Sequence, residues 1–81
     1  MVRPEDIETY IQEGMPCDLI KIAGDGHHFE AVIVSGEFTG KSRVQRQQRV
    51  YQTIKDRLDS GEIHALSFKT FTPEEWEANR G

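Results

Sequence analysis

The chain has 81 residues, 36% apolar and 30% charged, with a formal net charge of −4; this suits one small domain, residues 1–81, whose thin core leaves little room for a deep substrate pocket. No apolar run approaches the roughly 20 residues of a membrane span, and Met1-Val2-Arg3-Pro4 leads into acidic residues rather than an apolar secretion signal. A single cysteine excludes an internal disulfide, so the expectation is a cytoplasmic protein that is not an enzyme.

The first element reads as a helix. Pro4 suits its first position, and Glu5, Asp6 and Glu8 favour the positive end of the helix dipole. Ile7, Tyr10 and Ile11 form one apolar stripe, and Gly14 and Pro16 end the element. Residues 19–23 and 28–34 are short, β-branched runs separated by Gly24-Asp25-Gly26, a hairpin signal, so the two should pair antiparallel. Phe29, Ala31 and Ile33 then share one face, and His28, Glu30, Val32 and Val34 the other.

Residues 35–40 read as a loop. A long helix is expected from about Ser42, with Val44, Gln47 or Gln48, Tyr51, Ile54 and Leu58 on its apolar stripe and Val50 beside it. Gly61 closes it, and residues 63–71 alternate as a third strand. Thr72-Pro73-Glu74-Glu75 is a capping-box sequence for a short last helix, whose Trp76 should pack on the sheet. Phe29, Phe38, Tyr51, Phe68 and Phe71 are expected in or at the edge of the core. The order α-β-β-α-β-α predicts an α+β two-layer sandwich, with the first and central helices on one face of a three-stranded sheet.

Charge is unevenly spread. Residues 41–57 carry six cations and one carboxylate, net +5, whereas the remainder is −9. The basic strip can be a solvated helix face or a surface that steers an anionic partner. Common nucleotide motifs fail: Gly40-Lys41-Ser42 ends like a phosphate-binding loop, but Ser35 stands where glycine is required, and Gly24-Asp25-Gly26 runs on to Phe29 where a dinucleotide fingerprint needs glycine.

One ordered set of motifs remains: Gly24-Asp25-Gly26-His27-His28-Phe29, Val32-Ile33-Val34-Ser35, Phe38-Thr39-Gly40-Lys41-Ser42-Arg43-Val44, Arg46, Val50-Tyr51, Ile63-His64-Ala65-Leu66 and Thr72-Pro73-Glu74-Glu75-Trp76. Together they resemble the BolA family over about residues 5–77. Many members of that family carry Arg-His-Arg in the central helix; this chain has Arg46-Gln47-Gln48-Arg49, and with its Gly-Lys-Ser-Arg-Val helix start and short N-terminus it is more similar to the YrbA-like branch.

The resemblance implies a class II KH-like fold, α-β-β-α-α-β with a short C-terminal helix, in which a short turn of helix precedes the long one. It implies two activities. One is partnership with a monothiol glutaredoxin around a bridging [2Fe–2S] cluster; the other is transcriptional regulation through duplex DNA. His64 matches the family's iron-ligating histidine, and His27 or His28 supplies the second donor from the hairpin loop, with His27 preferred because the loop leaves it free. Cys17 does not match the loop ligand. A [2Fe–2S] centre needs four donors; two histidines cannot hold it alone, so the cluster would be shared with the partner's cysteine and glutathione and not bound tightly by the isolated chain. Its histidines must be neutral to ligate, so acid should weaken the site. For the DNA reading, Lys41, Arg43, Arg46 and Arg49 would meet phosphates, with Gln47 or Gln48 reaching a base edge. A plain mononuclear metal site on the same histidines is a third reading. No membrane contact is expected, and the chain should be a monomer or weak homodimer.

Overall fold

The structure, a computed structural model, describes residues 2–80. Helix α1 (Pro4–Gly14) is followed by strands β1 (Leu19–Gly24) and β2 (His28–Val34), a 3-10 turn (Gly36–Phe38), helix α2 (Arg43–Asp59), strand β3 (Ala65–Phe71) and helix α3 (Pro73–Arg80). The sheet order is β1-β2-β3. β1 and β2 pair antiparallel, with Leu19 opposite Val34 and Gly24 opposite Phe29. β3 pairs parallel to β2, with His28 beside Ala65 and Val34 beside Phe71. A parallel neighbour requires a long crossover, and α2 is that crossover.

The expected α+β sandwich is present, and the 3-10 turn is the short helical piece ahead of α2. It is capped by the Ser35 hydroxyl, which accepts from the Glu37 N–H at 3.1 Å and donates to the Pro16 carbonyl at 2.7 Å. Ser42 caps α2 through a reciprocal pair: its Oγ accepts from the Gln45 N–H at 3.2 Å, and Gln45 Oε1 accepts from the Ser42 N–H at 2.9 Å. α1 and α2 cover the face bearing Phe29, Ala31 and Ile33, where Ile7, Ile11, Val50, Ile54 and Phe38 are fully buried. Among the described residues no helix is long and apolar enough to cross a membrane.

Two expectations need correction. The buried stripe of α2 is centred on Val50 and Ile54, whereas Val44 is 65% and Tyr51 42% exposed. Apolar residues are sparse along this helix, so a 3.6-residue period fits two adjacent stripes; Arg46 and Arg49 can flank the buried one because their guanidinium groups reach carboxylates. Tyr51 instead sets its edge against half-buried Phe68, ring centroids 5.2 Å apart. The third strand begins at Ala65, not at residue 63. The Ile63 N–H turns back to the Arg57 carbonyl at 3.1 Å, so this residue closes the helix end and stays outside the ladder.

The opposite face of the sheet is only partly covered. Trp76 packs on Phe71, centroids 5.4 Å apart, and the Lys21 ammonium lies 5.8 Å over the indole. Thr72 caps α3: its Oγ1 accepts from the Glu75 N–H at 3.1 Å, and Glu75 Oε1 accepts from the Thr72 N–H at 2.8 Å.

Gly14 does more than end α1. A Cβ built there would lie 2.7 Å from both Cβ and Cγ2 of Thr53, so the helices cross at this point only because residue 14 has no side chain. Gly14→Ala should therefore cost about 1–3 kcal/mol of stability, the range for overpacking. Urea unfolding checks this; an unchanged midpoint would show that the helices separate freely there.

Candidate metal-ligating site

The parallel register of β2 and β3 builds the site. His28 and Ala65 are neighbours in the ladder, so the residues just before them, His27 and His64, emerge side by side. Their ring centroids are 5.4 Å apart with planes inclined at 54°, and both residues are exposed. His28 is exposed as well, but lines a shallow depression with Ala23, Gly24, Asp25 and Glu30.

Each loop is fixed by a carboxylate two residues ahead of its histidine. Asp25 Oδ1 accepts from the backbone N–H groups of His27 and His28, both at 2.9 Å. These bonds, His28 first, hold the Asp25 carboxyl below the ordinary carboxylate range. Gly26 completes the turn with φ of 98°, a conformation that suits glycine. On the other loop, Glu62 Oε2 accepts from the Tyr10 hydroxyl at 2.6 Å, and Arg57 Nη1 donates to Glu62 Oε1 at 3.2 Å. The Tyr10 bond and then Arg57 lower the Glu62 pKa, and the same bond raises that of Tyr10. Sequence reading missed this network, because its Tyr10–Glu62 bond joins residues 52 apart and no local spacing signals it.

The spacing of the ring centroids is close to that of two imidazoles sharing a metal. With metal–nitrogen bonds of about 2 Å, two imidazoles on one tetrahedral ion have centroids roughly 5 Å apart. Among the described residues no three His, Cys, Asp or Glu side chains gather as a metal-binding group, so remaining donors would come from outside. Cys17 is poorly suited. It precedes β1 at the end where Leu19 meets Val34, about 20 Å of strand from the histidines. Burial first, then the Glu37 carboxylate, pushes its thiol up to about 11, so it is protonated near neutrality.

The basic strip is largely spent inside the molecule. Arg46 makes a two-pronged pair with Glu75 at 2.7 and 3.2 Å and donates Nε to the Lys41 carbonyl at 3.0 Å; its side chain is 15% exposed. Arg49 pairs with Glu37 at 3.0 Å and donates to the Gly14 carbonyl at 3.1 Å. Arg43 is exposed and has no partner among the described residues; Lys41 is half-exposed. Gln47 is half-buried and lines a groove with Arg43, Phe68, Lys69, Thr70 and Phe71, and Gln48 is exposed. Lys69, absent from the sequence reading, thus joins Arg43 at one surface.

A family model described as "BolA-like protein" matches residues 9–75. The α+β order, the mixed three-stranded sheet and this match together show that the chain belongs to the BolA family. Within it, the chain falls in the branch of the Escherichia coli (strain K12) acid stress protein IbaG, to which it is 35% identical over 75 residues, covering 93% of this chain and 89% of IbaG. It is also 49% identical over 82 residues to the Haemophilus influenzae "DNA-binding transcriptional regulator BolA", covering 89% of this chain and 79% of that one. Among solved structures, a BolA homologue from Coxiella burnetii superposes with a TM-score of 0.81 at 40% identity, covering 95% of this chain and 99% of that chain.

The Arg46 pair carries a pH dependence. Arg46 first, then the Thr72 N–H, lowers the Glu75 pKa from 4.5 to about 2. A folded-state value below the unfolded one stabilises the fold above the unfolded pKa, and this contribution is lost as pH falls through the folded value. Melting temperature should therefore drop between about pH 4.5 and 2. Glu75→Gln should be less stable at neutral pH and show a shallower acid decline, only in part because Asp6, Asp25 and Glu62 are lowered too. Equal acid slopes in the two proteins would remove Glu75 from this account.

Proposed function

We propose that this protein is a non-enzymatic adaptor that docks a monothiol glutaredoxin and supplies His64 and His27 to a bridging [2Fe–2S] cluster serving iron–sulfur traffic. The observation that carries the proposal is the exposed pair of imidazoles, 5.4 Å apart, at the starts of two neighbouring parallel strands. Two nitrogen donors complete one iron of a cluster whose other donors are thiolates, and a His-ligated iron has a raised potential relative to all-thiolate ligation. The chain's own work is to hold two imidazoles at the surface with room for a second polypeptide. Its thiol is remote and protonated, so sulfur must come from the partner and glutathione.

The test is to add the chain to cluster-loaded glutaredoxin and record visible absorption and circular dichroism. Wild type should change the spectrum, His64→Ala and His27→Ala should lose the change, and His28→Ala should keep it. A His64→Ala spectrum matching wild type would sink the proposal. A metal-dependent change with zinc or iron alone, without glutaredoxin, would favour the mononuclear reading instead.

A second reading, regulation through duplex DNA, is favoured by the free Arg43 and the nearby Lys69, and by the printed name of the Haemophilus relative. The cleaner probe is Arg43→Ala rather than Arg46→Ala, because losing Arg46 also breaks the tie between α2 and α3. If Arg43 meets a phosphate, its loss should lower the slope of log affinity against log salt by about 0.9. Binding of a duplex with no salt dependence, or an unchanged slope, would count against that reading.

A further inference from the structure

We infer that Tyr10, Glu62 and Arg57 form a clamp that positions His64, so that a tyrosine on the first helix is a positioning residue for the metal-ligating site. This rests on the reading of His64 as a ligand. The His64 side chain has no hydrogen bond among the described residues, and its ring meets that of His27. Its place is set by Ala65 after it, in the ladder with His28, and by the two residues before it. Ile63 is 1% exposed, and its N–H is held by the Arg57 carbonyl at 3.1 Å. Glu62 is tied to two different helices: the Tyr10 hydroxyl from α1 at 2.6 Å and the Arg57 guanidinium from α2 at 3.2 Å.

The three members also brace one another. The Arg57 guanidinium carbon lies 3.7 Å from the centroid of the Tyr10 ring, a close cation–π contact. Arg57 is therefore held by the ring below it while it holds the carboxylate that the same residue's hydroxyl grips. The segment between α2 and β3, residues 60–64, is short, and the clamp adds to the two other features that aim His64, buried Ile63 ahead of it and Ala65 in the ladder after it. Partners that orient a ligand in this way commonly matter to metal affinity by roughly ten- to a hundredfold.

The experiment uses the full chain, metal-free, with Tyr10→Phe, which keeps the ring and removes only the hydroxyl. By nuclear magnetic resonance, the Ile63 amide should exchange about tenfold faster, and cross-ring contacts between His27 and His64 should weaken. Amides of Ile33 and Val50, in the core, should be unchanged. Glu62→Gln, which keeps an acceptor for Tyr10 but drops the charge facing Arg57, should fall between wild type and Tyr10→Phe. An unchanged Ile63 amide, or a uniform rise across the sheet, overturns the clamp.

A titration of cluster-loaded glutaredoxin then separates the two ideas. Tyr10→Phe should need roughly tenfold more chain for half the spectral change and end at the wild-type spectrum, because both histidines remain. Ile54→Val, which weakens the core away from the clamp, should not shift that midpoint; if it shifts equally, the clamp is only a contribution to stability and the inference fails. Should His64→Ala leave the spectrum intact, the ligand reading falls, while the metal-free amide and ring contacts still decide whether the clamp positions His64.

Discussion

The parallel pairing of β3 with β2 is the constraint on which the molecule depends. Parallel neighbours begin at the same end of a sheet, so residues far apart in sequence start their strands together. The pairs Phe29 with Leu66 and Ala31 with Phe68 turn toward the helices. A one-residue slip would turn those side chains to the other face, so burial of this face pins the register. The register then sets His28 beside Ala65 and leaves His27 and His64 adjacent at the sheet's end. Core packing is thereby the source of the geometry of the histidine pair, although neither histidine is in the core.

The electrostatics have a similar logic. Read along the chain, a basic helix lies on an acidic body, which suggests a surface field. In the fold, three of the helix's arginines turn to carboxylates elsewhere in the chain. Arg49 meets Glu37 of the 3-10 turn, Arg46 meets Glu75 of α3, and Arg57 meets Glu62 ahead of β3. Much of the sequence dipole is thus consumed in lacing α2 to the segments before and after it. Glu75 illustrates the economy of this arrangement: one carboxylate caps α3 and accepts the Arg46 fork.

Local chemistry made much of the fold legible. Pro4 and Gly14 bracket α1, Asp25-Gly26 marks the hairpin, and Ser42 and Thr72 announce the helices that follow them. The misread positions are those where a tertiary contact overrides a weak local pattern. Val44 continues an apolar period yet faces solvent, because ion-paired arginines can occupy the flank of the buried stripe. Ile63 looks like strand yet bonds back to α2. The candidate ligands came from resemblance rather than from spacing: 37 positions separate His27 from His64, and only the sheet register makes them neighbours. The bond between Tyr10 and Glu62 was invisible for the same reason.

The histidine pair combines spare bonding capacity with a fixed place and with closeness of the two rings. Among the described residues no buried side-chain polar atom lacks a hydrogen-bond partner, so the interior presents no unmet polar demand. At His27 and His64 the position is reversed: the backbones on either side are fixed by Asp25 and Glu62, while the imidazole nitrogens bond to none of the described residues. Free donors on mobile segments must be ordered when a ligand binds, and that entropy weakens binding. Free donors on fixed segments have met that cost during folding. The hydrophobic core, the parallel register and the two carboxylates therefore act in series, each narrowing where the two rings can be, so the freedom of the pair is reduced by folding itself.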